Sequence, residues 1–286
     1  MEDNRTHRLS RAIKQVRTLC LSPRVYIVYN RGFRNCNKHM REQNTRADLN
    51  HANMHIARHA LNHFSGQPIL LLEDDFFWVG DIESTKKCLR EIRTFLQQQG
   101  DLVDHYSLGS MSVPFMAYPS LHSTRHWRVH CACGAQAMIH TPSGLKRIVS
   151  RAKYNVYDID IMYSQKDRFY MYWRPLTMQV FTETENQKTW KANGPANLAG
   201  WMYLRVWGME KDPAFGWHFA NASLMFVPIL VIGFTMLYLM RKKMPGAGPP
   251  VRASVTMLIL LLCFALLFYW YVLFRRVRPK RSARGT

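Results

Sequence analysis

Acidic residues are scarce in this sequence: 19 Asp and Glu stand against 39 Lys and Arg, for a formal net charge of +20. So basic a surface suits anionic partners, whether bilayer headgroups, nucleic acid or a sugar nucleotide, and charge alone does not choose among them. Cysteine is also sparse. Of the six, Cys131 and Cys133 stand one residue apart, which is not the spacing of a zinc knuckle. In a strand both would point to one face, as free core thiols of a reducing compartment. The first twenty residues carry many charges and no continuous apolar run, which excludes a secretory signal there. There is no internal repeat and no low-complexity tract beyond the Pro/Gly stretch at 244–250.

Charge is missing altogether from two blocks near the C-terminus, residues 219–240 and 253–274, each of 22 residues. A bilayer span needs roughly 20 apolar residues at 1.5 Å rise each. Pro228 inside the first block is tolerable in lipid, where the freed carbonyl is satisfied locally. Arg241, Lys242 and Lys243 close the first block, and Arg275, Arg276 and Arg278 the second. Trp217, Tyr269, Trp270 and Tyr271 sit where aromatic rings favour the headgroup layer. The pattern predicts two transmembrane helices joined by a basic loop, 241–252, and followed by a basic tail, 275–286. Six basic residues in the tail against four in the loop place both termini, and the domain before the spans, in the cytosol.

Residues 1–23 read as a basic N-terminal helix, with Leu9, Ile13, Val16 and Leu19 at helical spacing. It is expected to pack on the domain, although a basic amphipathic helix can also lie on a membrane. The rest of the domain, 24–215, alternates strand and helix. The run Arg24-Val-Tyr-Ile-Val-Tyr-Asn30 predicts the first buried strand, residues 45–64 a helix, and Ile69-Leu-Leu-Leu72 a short apolar strand. A helix over 81–99, capped by Asp81 or Ser84, follows. Strands are expected near 104–108, 131–140, 169–174 and 176–181, with a helix over 141–150. That order predicts an α/β sheet with crossover helices.

The strand Ile69–Leu72 runs straight into Glu73, Asp74 and Asp75. Three ionised acids cannot lie inside a buried strand, so they belong at its C-terminal end, where open α/β sheets bind ligands. If the strand geometry persists, Glu73 and Asp75 project to one side and Asp74 to the other. A divalent cation, Mg²⁺ or Mn²⁺, would relieve the repulsion and could bridge to a diphosphate. The plainer alternative is an acidic turn capping the next helix. Asp158 and Asp160 form a second acidic pair, in which one residue could serve as general base, or as a helix cap beside a surface acid. His51, His55, His59 and His63 share one helical face. They can bind metal in principle, but with no further acid or cysteine to close a site they read as surface or substrate-facing. Tyr170, Tyr172, Trp173, Phe181 and Trp190 could stack on a sugar but read mainly as core.

Taken together, Val25–Asn30, Asn50-His51, Leu72-Glu-Asp-Asp75, the Gly134–Leu145 segment, Asp158/Asp160 and the Pro175–Trp190 region with its Gln179 resemble glycosyltransferases of family 25, the lipooligosaccharide and collagen galactosyltransferase type. The resemblance covers residues 24 to 190. It implies a GT-A-like (Rossmann-like) single domain followed by the two spans, and a metal-dependent transfer of a sugar from a nucleotide-sugar donor, UDP-galactose as first guess, to a hydroxyl on a glycan, protein or lipid acceptor. On that resemblance Asp75 and Glu73 would hold Mn²⁺ or Mg²⁺. Asn30, Arg34, Lys38, Glu73 and Asp74 would face the donor, and Asp158 or Asp160 would be the base. Two other readings stand beside it. One is a catalytically inactive relative serving as a membrane or virion structural protein. The other is a metal-dependent nuclease or phosphoesterase, against which no Lys or His stands at fixed spacing from the acids. No nucleic-acid partner is expected.

Overall fold

In a computed structural model, the described residues are 6–22, 24–34, 36, 38, 43–64, 66–109, 111–112, 117–120, 123–130, 132–151, 167–179, 235 and 238. The chain divides into two units between His218 and Phe219, and all described elements belong to the first unit apart from Thr235 and Tyr238, which are helical. Among the described residues no helix is long and apolar enough to cross a membrane. The expected spans at 219–240 and 253–274 otherwise lie outside those residues, as do the loop 241–252 and the tail 275–286.

Helices α1 (Thr6–Leu19) and α2 (Thr45–His63) precede the first strand, and α3 (Ile82–Gln99) and α4 (Pro142–Arg151) are set among short strands. Side chains set the starts of two of them. Asn44 accepts from the Ala47 N–H at 2.9 Å before α2, and Asp81 accepts from the Ser84 N–H at 2.7 Å before α3, filling donors that a helix start leaves unpaired.

The strands are β1 (Ile69–Leu72), β2 (Phe76–Trp78), β3 (His105–Ser107), β4 (Met111–Ser112), β5 (Ala117–Ser120), β6 (Ser123–Val129), β7 (Ala132–Cys133), β8 (Ala137–His140), β9 (Phe169–Tyr172) and β10 (Thr177–Gln179). Six of them form one sheet in the order β1-β8-β3-β9-β6-β5, while β10 pairs with β2 and β4 with β7. The fold is therefore mixed α/β. Among the described residues only β3 and β9 pair in parallel; β1, β5, β6 and β8 join the main sheet through antiparallel ladders. A uniformly crossed-over sheet is not what forms, because β8 returns antiparallel between β1 and β3, and β6 returns antiparallel between β9 and β5.

The period of two along each strand sorts the core. Tyr106, Ala137 and Tyr172 face the side covered by α3 and pack with its Cys88, Ile92 and Phe95. The alternate positions Met138, Phe169 and Met171 are buried on the opposite face. There α4 lies beside β8 and packs against α2, with Leu145 and Ile148 buried. Tyr170 and Trp173 pack against the α3-side core, so they and Tyr172 act in packing; Phe181 and Trp190 lie outside the described residues.

One expected element does not form among the described residues. Residues 24–30 take no strand pairing, and Val25, Tyr26, Ile27, Val28 and Tyr29 are all 45–58% exposed. β propensity describes fit to a half-buried pleated surface and is realised only where a partner strand supplies that surface. Here β1, with β8 as its only partner among the described residues, is an edge of the sheet. Tyr26 rests on the end of α2, its ring 4.9 Å from that of Phe64.

Candidate functional site

The acids after β1 gather at the end of the sheet where Leu72 pairs with Ala137. The strand stops at Leu72, and Asp74 and Asp75 occupy a turn leading into β2. The strand alternation that would pair Glu73 with Asp75 therefore does not persist, and the charge of Asp74 acts on Asp75. The corner is held from three sides. The Glu73 N–H donates to the Gln136 carbonyl at 2.9 Å, and the Gln136 side chain donates to the Gly109 carbonyl at 2.8 Å. The backbone of β10 hangs from Leu108, whose carbonyl accepts from Leu176 and Thr177. In the β2–β10 ribbon Gln179 lies opposite Phe76, and its Nε2 donates to Asp75 Oδ2 at 2.9 Å.

Asp75 is 5% exposed, and its Oδ1 is buried with no hydrogen-bond partner, as is Oδ2 of Asp74. Burial pushes the Asp75 carboxyl above the usual carboxylate range. The Gln179 hydrogen bond opposes that shift, the Asp74 charge adds to it, and Arg8 opposes it weakly. A buried carboxylate oxygen without a donor calls for a proton or a cation. Two adjacent acids fit Mg²⁺ or Mn²⁺, which are commonly held by one or two carboxylates plus water and substrate phosphates. They do not make a closed protein site: among the described residues no group of three or more His, Cys, Asp or Glu could hold a metal ion.

Helix α1 also reaches this corner, which its sequence did not announce. Arg8, 7% exposed, lies 3.8 Å from Asp74, and Gln15 bridges β2 by donating to the Phe76 carbonyl at 3.1 Å and accepting from the Trp78 N–H at 2.9 Å. The only signal was that Arg8 and Gln15 are seven apart, two turns along one helix face.

Asn30 and Lys38 come together elsewhere, at the start of α2. Lys38 Nζ donates to Asn30 Oδ1 at 2.6 Å and pairs closely with Asp48, which also accepts from the Phe33 N–H at 3.1 Å. Asp48, 6% exposed, is the unforeseen member of this group; an acid in the first turn of a helix was its signal. Lys38 is thus already neutralised, whereas Arg34 is exposed, its guanidinium 5.6 Å from the centre of the Phe33 ring. Asp158 and Asp160 lie outside the described residues.

The histidine stripe on α2 forms two ring pairs, His51 with His55 and His59 with His63, with centroids 4.4 and 4.3 Å apart. His51 is held below the ordinary imidazole range, first by partial burial and then by the neighbouring His55. The most charged buried group is at the other end of the strands. His105, opposite His140 in the ladder, contacts it through Nδ1 at 2.8 Å and meets Asp167 through Nε2 at 3.0 Å. Arg151 donates to Asp167 at 2.6 Å, while Asp104 accepts from Ser143 at 2.6 Å and from Arg168 Nη2 at 2.8 Å. Burial lowers both His105 and His140, so they stay neutral. This network ties β3, α4 and the start of β9 together, with the length of the strands between it and Asp75.

No protein-family model matches the chain, and a search of curated proteins gives no match.

Proposed function

We propose that the chain is a membrane-anchored, divalent-metal-dependent glycosyltransferase with a GT-A-like domain, moving a hexose, galactose as first guess, from a nucleotide-sugar donor to a hydroxyl acceptor. The observation that carries this reading is the contact between Asp75 and Gln179. These residues belong to two separate motifs of the family 25 resemblance and meet at a strand end around a buried, under-coordinated carboxylate.

In this mechanism Asp75 would hold the cation, with Glu73 or Asp74 assisting, and Gln179 fixes the rotamer of Asp75. When bound, the cation offsets charge on the departing diphosphate. Arg34, exposed, would face the donor phosphates, while Asn30 and Lys38, tied to Asp48, hold the segment that carries it. Asp158 or Asp160 takes the proton of the acceptor hydroxyl. The two C-terminal spans hold the domain at the cytosolic face of a membrane, close to a lipid-linked or membrane-borne acceptor.

The test is a panel of nucleotide sugars offered to the full chain in detergent with Mn²⁺. One donor should be hydrolysed slowly without acceptor, and Asp75→Asn should abolish it. Donor binding without turnover would indicate an inactive relative. Mn²⁺-dependent cleavage of nucleic acid, with no use of any sugar nucleotide, would replace the proposal with the nuclease reading.

A further inference from the structure

The exposed run Val25–Tyr29 is five consecutive apolar residues, each 45–58% in solvent, with no strand partner among the described residues. Isolated exposed apolar residues are ordinary, but a contiguous strip marks an interaction surface. Its surroundings say what kind. From Thr6 to Arg34 the chain contains seven Lys and Arg and no Asp or Glu. Of these, Lys14, Arg17, Arg24, Arg31 and Arg34 are exposed, whereas Arg8 turns inward to Asp74. The strip is thus bracketed by Arg24 and Arg31, with exposed cations of α1 preceding it in the chain.

We infer that residues 24–31 form a docking strap for an anionic lipid surface, with Val25, Tyr26, Ile27, Val28 and Tyr29 entering the headgroup layer and the flanking Arg24 and Arg31 meeting lipid phosphates and carboxylates. Charge complementarity and apolar content select this partner together. Tyrosine favours the bilayer interface, and arginines beside it gain from the negative surface potential. Nucleic acid would reward the arginines and stack on the tyrosines, but it offers nothing to Val25, Ile27 and Val28. The inference rests on the membrane anchoring proposed above. It adds that the catalytic unit itself touches the bilayer, which would steer the enzyme toward acceptors lying in that surface.

Hydrogen exchange on the full chain in nanodiscs tests this. In discs of phosphatidylcholine alone, amides 25–31 should exchange freely, as those of an unpaired segment do. In discs containing phosphatidylserine they should be protected, and 1 M salt should remove the protection because charges are then screened beyond about 3 Å. Each basic residue near an anionic surface is worth about a fivefold factor, so Arg24→Ser/Arg31→Ser should cost about 25-fold in lipid engagement. Amides of α3 report that the variant is folded. Ile27→Asp should lose the protection while keeping every arginine. Equal exchange in both disc types would overturn the inference. So would protection already present in neutral discs or in detergent, which would mean that the strap pairs with protein, or protection conferred by single-stranded RNA and not by lipid. Failure of the chain to enter discs at all would instead count against the anchoring reading.

Discussion

Removing the amide that steadies Asp75 isolates the property on which the proposed chemistry depends. Gln179→Met keeps the length of the side chain and deletes the donor that reaches Asp75 Oδ2 at 2.9 Å. Oδ1 already lacks a hydrogen-bond partner, so both oxygens of a residue 5% exposed would then be bare. A hydrogen bond to a charged group contributes about 1.5–3 kcal/mol, against about 1 kcal/mol for a neutral pair. The loss should therefore be larger near pH 8, with the carboxylate ionised, than near pH 4. For a domain of this size about 1 kcal/mol moves the melting temperature by about 2–4 °C, so the metal-free variant should melt about 3–12 °C below wild type at the alkaline end. Saturating Mn²⁺ should return much of this, since a ligand at a hundred times its Kd stabilises by about 2.7 kcal/mol. Thermal unfolding of the full chain in detergent, followed by tryptophan emission over a pH series with and without Mn²⁺, measures all of these quantities. If Gln179→Met melts with wild type at every pH, or if Mn²⁺ raises Asp75→Asn as much as wild type, the reasoning about this corner is wrong.

Three further outcomes follow from the same geometry. Because burial raises the Asp75 pKa, the folded state holds its proton longer than the unfolded chain, so metal-free stability should fall as pH rises from the unfolded value through the raised one. Asp75→Asn should flatten that part of the stability profile while abolishing metal-dependent turnover. Asp104 behaves in the opposite sense. Burial alone would raise it, but hydrogen bonds from Arg168 and Ser143 hold it well below the usual range. Its contribution is therefore complete above the unfolded pKa and lost as pH falls below it, and Asp104→Asn should cost about 3–5 kcal/mol at neutral pH in denaturant titration. Finally, a Cβ at Gly109 would lie 2.0 Å from the Thr177 carbonyl oxygen and 2.8 Å from Gln136 Nε2. Gly109→Ala should destabilise by about 1–3 kcal/mol or more and displace β10, lowering Mn²⁺ affinity in titration calorimetry along with stability.

Local chemistry was legible in the sequence wherever a signal and its consequence lie within a few residues. Asp81 before α3 announced a helix start because the cap bonds a backbone donor three residues away. Four apolar residues ending in Glu73-Asp74-Asp75 announced a strand whose end must meet solvent or a ligand, because ionised groups cannot continue into a core. Tertiary structure decided the rest. The β-rich run at 24–30 has the right residues for a strand and no ladder, since pairing needs a neighbour that local sequence does not specify. The acids after Leu72 turn instead of alternating, which brings the charge of Asp74 to bear on Asp75. Gln179 reaches Asp75 across 104 residues of chain, and Arg8 reaches Asp74 from α1. The neutral His105–His140 pair exists only because antiparallel register sets those two positions side by side. Contacts of that kind depend on which strands become neighbours, a choice made by burying the whole apolar surface at once and carried by no single motif.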